Sequence, residues 1–300
     1  MKTKSQNKAP HLKLRQRGAA LIILMLIIVL SLVTLVTFRS ERKGPELEAQ
    51  RKTALALAQA KEALLGRAAS DDDPGTVSCP SNDLIGTAGG SGCPVAAAPS
   101  IIPKYAGRFP WRTLGVGNLY DGVGERLWYV MSQNFVDSGK SVPPSTSGTI
   151  RVNGGATNVV AVIVAPGASM GGQNRSAGNE NILNNYLESY VDASNINTAL
   201  GNDQIITITT SEVFNIVTQR MAREFALEIS VEAEYPDTGW LPTSAIWTVG
   251  RFSNWRNVAI TKFTKLSSTM GTLRFPPCVG EFTIQRTVGS DEVVTGKVSC

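Results

Sequence analysis

Histidine is almost missing from this chain: His11 is the only one in 300 residues. Past residue 11 no imidazole is available to shuttle a proton, which excludes Ser-His-Asp and Cys-His mechanisms there. A zinc site loses its usual nitrogen ligand, and the four cysteines contain no C-x-x-C pair, so zinc is disfavoured. Gly115-Val116-Gly117 lacks the later glycine and the helix context of a phosphate-binding loop. Carboxylate pairs such as Asp121/Glu125 and Glu232/Glu234 remain for acid–base work, and they read as surface acids. No enzymatic activity, cofactor or metal is expected. Aromatics are also sparse, at 7%, and Trp111, Trp128, Trp240, Trp247 and Trp255 read as core rather than as a ligand platform.

Acidic residues are absent from the first eighteen positions, which hold Lys2, Lys4, Lys8, Lys13, Arg15 and Arg17. Removing these six from the 29 basic residues leaves 23 against 24 acidic ones, so the formal +5 belongs to the N-terminal tail. The rest of the chain offers no basic excess for a nucleic acid, and no nucleic-acid partner is expected. Charge of either sign is then missing from Ala19 to Phe38, AALIILMLIIVLSLVTLVTF. A helix over that run would be about 30 Å long, the hydrocarbon thickness of a bilayer. The expectation is a single-pass transmembrane helix at the inner membrane, with the basic tail cytoplasmic and residues 39–300 periplasmic. No small-x-small site follows the run, so it is not expected to be removed as a secretory signal.

The junction Arg15-Gln16-Arg17-Gly18-Ala19-Ala20-Leu21-Ile22, a basic leader ending in glycine directly before an apolar helix, resembles the class III signal of type IV pilins and type II secretion pseudopilins. The resemblance implies cleavage between Gly18 and Ala19 by a prepilin peptidase, methylation of the new N-terminal Ala19, and other pilin or pseudopilin subunits as partners. Most members carry Glu at the fifth mature position, to pair with a neighbour's amine during assembly. Here that position is Ile23. This departure disfavours a major filament subunit. It is similar to the K-type minor pseudopilin, so a minor, tip or priming role is implied. The likeness is specific over residues 15–38 and architectural beyond them.

The fold expected is α+β: a long N-terminal helix, half transmembrane, packed on an antiparallel β-sheet domain with additional helices. The segments are a basic leader (1–18), a transmembrane helix (19–38), its periplasmic extension (39–70), an α+β globular domain (71–234) and a β-rich C-terminal region with a disulfide loop (235–300). Gly44-Pro45 should kink or break the helix. Glu46–Ala69 is rich in helix formers, with an apolar stripe at Leu47, Ala54, Leu57, Ala58, Leu64 and Leu65. Asp71-Asp72-Asp73 lacks the alternate spacing of a calcium loop and reads as a solvated turn.

Residues 124–130 read as a short helix, and 149–152, 158–164 and 205–209 as strands, with VVAVIV apolar enough to be central. Ser211 is a plausible cap for a helix from Glu212 to about Val231. Alternating segments at 245–249, 258–263, 272–275, 281–287 and 292–298 suggest an antiparallel sheet. Asn174-Arg175-Ser176 matches a glycosylation acceptor, weakly given the bacterial type of leader. Four cysteines allow three connectivities, and proximity favours Cys79–Cys93 and Cys278–Cys300. The second pairing resembles the C-terminal disulfide loop of many pilins. The alternative to an assembly subunit is a filament-displayed or membrane-anchored periplasmic binding protein or adhesin.

Overall fold

Helix α1 covers Arg17–Ser70 and passes through Gly44-Pro45 without ending. Proline removes one backbone hydrogen bond, and the strong helix formers of residues 46–69 preserve those that follow. The computed structural model describes residues 17–89, 93, 105–192, 194–230, 237–257, 262–286 and 292–300; within α1, side chains are described for 24–31 and 44–70. The chain divides into two compact units at Glu48/Ala49.

The transmembrane expectation is corrected here. Among the described residues, no helix is long and apolar enough to cross a membrane. The described side chains of the apolar part of α1 are those of 24–31, about 12 Å of helix against the roughly 30 Å that a span needs. The single-pass inner-membrane placement, the cytoplasmic and periplasmic sides and the half-transmembrane fold class all depended on that span. They fall with it. The leader, residues 1–16, lies outside the described residues.

The expected antiparallel β-sheet domain is also corrected: the chain is α+β with three sheets, one of which contains a parallel pair. The first joins β1 (Ala106–Arg108), β2 (Trp128–Met131), β4 (Val159–Ala165) and β7 (Gln204–Thr209) in the order β1-β2-β4-β7, every neighbour antiparallel. All seven residues of β4 are buried. Alternate side chains of β2 and β4 enter different cores, because successive residues of a strand point to opposite faces. Tyr129, Met131, Ala161 and Ile163 join the larger core with α1. Trp128, Val130, Val162 and Val164 join a smaller one with Leu183, Tyr186 and Leu187. Burial on both faces explains the continuous apolar run of β4. It also explains why residues 124–130 misled: Trp128–Met131 is a strand, and a short apolar run carries no periodicity to separate strand from helix.

On the smaller core lies a second sheet, β3 (Arg151–Val152), β5 (Tyr190–Asp192) and β6 (Asn195–Ile196), in which β3 and β6 are parallel. On the larger core lies α2 (Thr210–Ser230), which buries Val213, Phe214, Val217, Met221, Phe225 and Ile229 at helical spacing. Its cap is Thr209 rather than Ser211. The Thr209 Oγ1 accepts from the Glu212 amide at 3.3 Å, and the Glu212 Oε2 accepts from the Thr209 amide at 2.9 Å, a reciprocal capping box. Ser211 instead donates through Oγ to the Cys300 carbonyl.

The third sheet is the meander β8 (Lys262–Ser267), β9 (Met270–Arg274), β10 (Val279–Gln285) and β11 (Val293–Ser299). A chain of ring contacts ties it to the rest of the core: Phe135–Phe214, Phe214–Trp255, Trp255–Phe275 and Phe275–Phe282. Residues 245–249, read as a strand, begin instead with the short helix α3 (Ala245–Thr248), and α4 (Ser253–Asn257) follows. Glu228 of α2 organises that corner by accepting from both the amide and the Oγ of Ser244.

The α1 segment that belongs to the second unit buries Thr53, Ala56, Leu57, Ala60, Leu64, Leu65 and Ala68. Leu57, Leu64 and Leu65 of the expected stripe are thus inside, whereas Leu47, Ala54 and Ala58 are exposed. Small residues set the buried face because backbone approaches it closely. At Gly122 an added Cβ would overlap the Ala49 carbonyl. The Gly122 amide donates to Thr53 Oγ1 at 2.8 Å, and that hydroxyl donates to Ala49 O.

Candidate functional site

Gly18 and Ala19 lie in the first turn of α1, and Ile23 follows Ala19 by four residues, one turn further along the same helix. Beyond Ile23 the helix presents Leu24, Met25, Leu26, Ile27, Ile28, Val29 and Leu30, each between 50% and 64% exposed. Seven successive residues at about 100° each pass around the full circumference of a helix. The surface is therefore apolar on every side and not on one stripe, whereas α2 has a clear inner and outer face. A helix apolar all round is ordinarily enclosed by other apolar groups.

Other residues singled out from the sequence are used in structure. Cys79 pairs with Cys93 and Cys278 with Cys300, the two combinations closest in sequence. Asp121 is buried; its Oδ1 accepts from the amides of Val123 and Glu125, and its Oδ2 from Gly167. Both oxygens thus hold backbone, and Asp121 organises a turn. Glu125 forms an ion pair with Arg175 at 3.3 Å. Glu232 and Glu234 lie outside the described residues. Trp128, Trp247 and Trp255 are fully buried, and Trp111 and Trp240 pack partly buried against the larger core.

Asp71-Asp72-Asp73 is only in part the solvated turn expected. Asp71 pairs with Arg67 at 2.6 Å and Asp72 with Arg251 at 3.0 Å, while Asp73 is buried. Burial, followed by the nearby Asp137 carboxylate, holds the Asp73 carboxyl above its ordinary range. Among the described residues, no group of three or more His, Cys, Asp or Glu is placed to hold a metal ion.

Two arrangements carried no signal in the sequence. Arg108 is buried between the rings of Trp128 and Tyr186, with its guanidinium carbon 4.1 Å and 4.2 Å from their centroids. It donates to the carbonyls of Arg126 and Glu180. Burial lowers its pKa to about 10, with Tyr186 acting the other way, so it remains a cation at neutral pH. The second is a carboxyl pair, Glu188 and Asp203, joined to Arg175 through Gln173. Chain neighbours announce neither, since the partners meet only after the sheet has formed.

The chain was compared with protein-family models, with curated proteins and with solved structures. It matches none of them. The functional reading therefore stands on the residues themselves, above all on the apolar circumference of α1.

Proposed function

We propose that this chain is a minor subunit, at the tip or in the priming set, of a filament of the type IV pilus or type II secretion kind. It assembles by packing the N-terminal part of α1 against the helices of neighbouring subunits, with no chemistry on a substrate. The observation that carries this reading is the run Leu24–Leu30, half or more exposed around the whole helix. A flat partner would cover one side of such a helix, whereas a bundle of neighbouring helices covers every side. Burying each of these side chains contributes about 1.5–3 kcal/mol before the cost of association.

The junction supports the same reading. A basic segment closing on Arg17-Gly18 directly before the apolar residues suits a prepilin peptidase, which would leave a methylated Ala19. Ile23, in place of a glutamate, has no carboxylate to capture a neighbour's amine. That suits a subunit present in few copies. Mass spectrometry of filaments sheared from cells that make the protein tests both points. The expected result is a chain beginning at methylated Ala19, far less abundant than the principal subunit. A chain still beginning at Met1, abundance equal to the principal subunit, or absence from the filaments would each overturn it.

A further inference from the structure

The connection between β4 and β7 closes on an acidic pair that has no counter-ion of its own among the described residues. Asp203 is only 8% exposed. Its Oδ2 accepts from the Ser189 amide at 2.8 Å and the Ser189 Oγ at 2.6 Å, which pins the start of β5. Its Oδ1 is buried and has no donor. Glu188, the neighbour of Ser189 in the chain, adjoins this carboxyl closely enough to raise its pKa. The Glu188 Oε1 accepts from the Gln173 side-chain amide, and its Oε2 is buried against Gly201 without a donor. Each carboxyl of this cluster therefore keeps one dry oxygen without a donor. Two ionised carboxylates in that position would repel, and each would lack a hydrogen bond; one proton between them satisfies both.

We propose that Glu188 and Asp203 share a single proton and form a latch that holds the segment between β4 and β7 closed, and that releases this segment as the pH rises. The groups around the pair agree. Arg175 is the guanidinium of this network, and it is committed elsewhere: it donates to Gln173 Oε1, to the carbonyls of Asn185 and Gly167, and pairs with Glu125. Tyr190, which follows Ser189, stays neutral because burial pushes its phenol up to about 12. Burial first, and then Glu188, raise the Asp203 carboxyl from 3.8 to about 7, against the lowering effect of the two Ser189 hydrogen bonds.

The sign follows from that shift. The unfolded carboxyl has already lost its proton in the range where the folded one keeps it. The stability from the pair is fully present below pH 3.8 and is lost as the pH rises through about 7. The lost contacts are local: Ser189 to Asp203, and Gln173 to Glu188. The latch does not depend on the filament reading, and its test does not use filaments.

Hydrogen exchange on the full chain at pH 5 and pH 8, corrected for intrinsic rates, reads the latch directly. Protection of the Ser189 amide should fall about ninetyfold relative to β4 between the two, the linkage expected for a carboxyl at 3.8 when open and about 7 when closed. Glu188→Gln keeps the acceptor for Gln173 and gives ionised Asp203 a permanent donor, so this pH effect should shrink to under about threefold. A wild-type profile without pH dependence, or an unchanged profile in Glu188→Gln, overturns the proposal. Carboxyl carbon NMR titration of the wild type needs no variant. The Asp203 resonance should titrate near 7, and an ordinary midpoint near 4 would overturn the shared proton.

Discussion

Glycine at position 122 is a steric requirement, because a Cβ there would occupy the space of the Ala49 carbonyl. That contact lets the 121–125 turn reach α1, where Gly122 donates to Thr53 Oγ1 and Asp121 fixes the turn from within. Gly122→Ala should destabilise the chain by about 1–3 kcal/mol, by pushing the turn off the helix. Urea unfolding would show this as a lower midpoint with an unchanged slope, and an unchanged midpoint would refute the close approach. At this scale little was legible in advance. Asp121 looked like a surface acid and is buried, since nothing in a linear pattern reveals that both its oxygens will hold amides. The Glu188–Asp203 pair was equally silent, its members fifteen residues apart and brought together by a turn at 198–201. The cysteine pairs were easier to read, because each bridges a short loop.

Elements were more legible where burial is one-sided or complete. Residues 158–164 announced the central strand through an unbroken apolar run, and the stretch from Glu212 to about Val231 announced α2 through its period. Legibility failed for four-residue pieces. Trp128–Met131 and Ala245–Thr248 are both short, apolar and aromatic, yet one is a strand and the other a helix. Their neighbours decide: β2 is clamped between β1 and β4, whereas α3 starts where Glu228 accepts from Ser244. The start of α2 was misplaced by two residues because Thr209, Thr210 and Ser211 are all good caps. Only Thr209 has Glu212 at the third position after it, as the capping box needs. Thr209→Ala should therefore cost about 1 kcal/mol, and Ser211→Ala distinctly less. Thermal unfolding of the two variants side by side checks the order, and equal losses would argue against Thr209 as the cap.

For the whole molecule, α2 is the axis on which distant parts meet. Lys61 of α1 pairs with Glu212 at 2.5 Å and donates to the Thr207 carbonyl, and Arg220 donates to the carbonyls of Ala69 and Asp71. The other end of the chain reaches the same helix: Cys300 donates its amide to Asn215 Oδ1 and accepts from Ser211. The Cys278–Cys300 bridge closes the β10–β11 hairpin against that helix. Replacing both cysteines by serine should cost about 3 kcal/mol through the loop entropy returned to the unfolded chain. The double variant should show this loss by chemical unfolding, and a reduced, alkylated sample, in which Cys79–Cys93 is open as well, should lose more. No loss in either would mean that the hairpin is held by its ladder alone. Class α+β was readable from the order of elements. The division into three sheets was not, since the small β3-β6-β5 sheet consists of strands of two and three residues.

The pairing of α1 with α2 also has a consequence in time. The partners of Lys61 and Ala69 lie about 150 residues further along the chain. At roughly 5–20 residues per second, the ribosome delivers α2 about 8–30 s after the segment of α1 that it covers. Throughout that interval the core that Leu57, Leu64 and Leu65 join lacks the part that α2 supplies, and loop closure over such a distance is slow even afterwards. The nascent chain thus offers this face of the helix well before it offers the last of the surface that shields it.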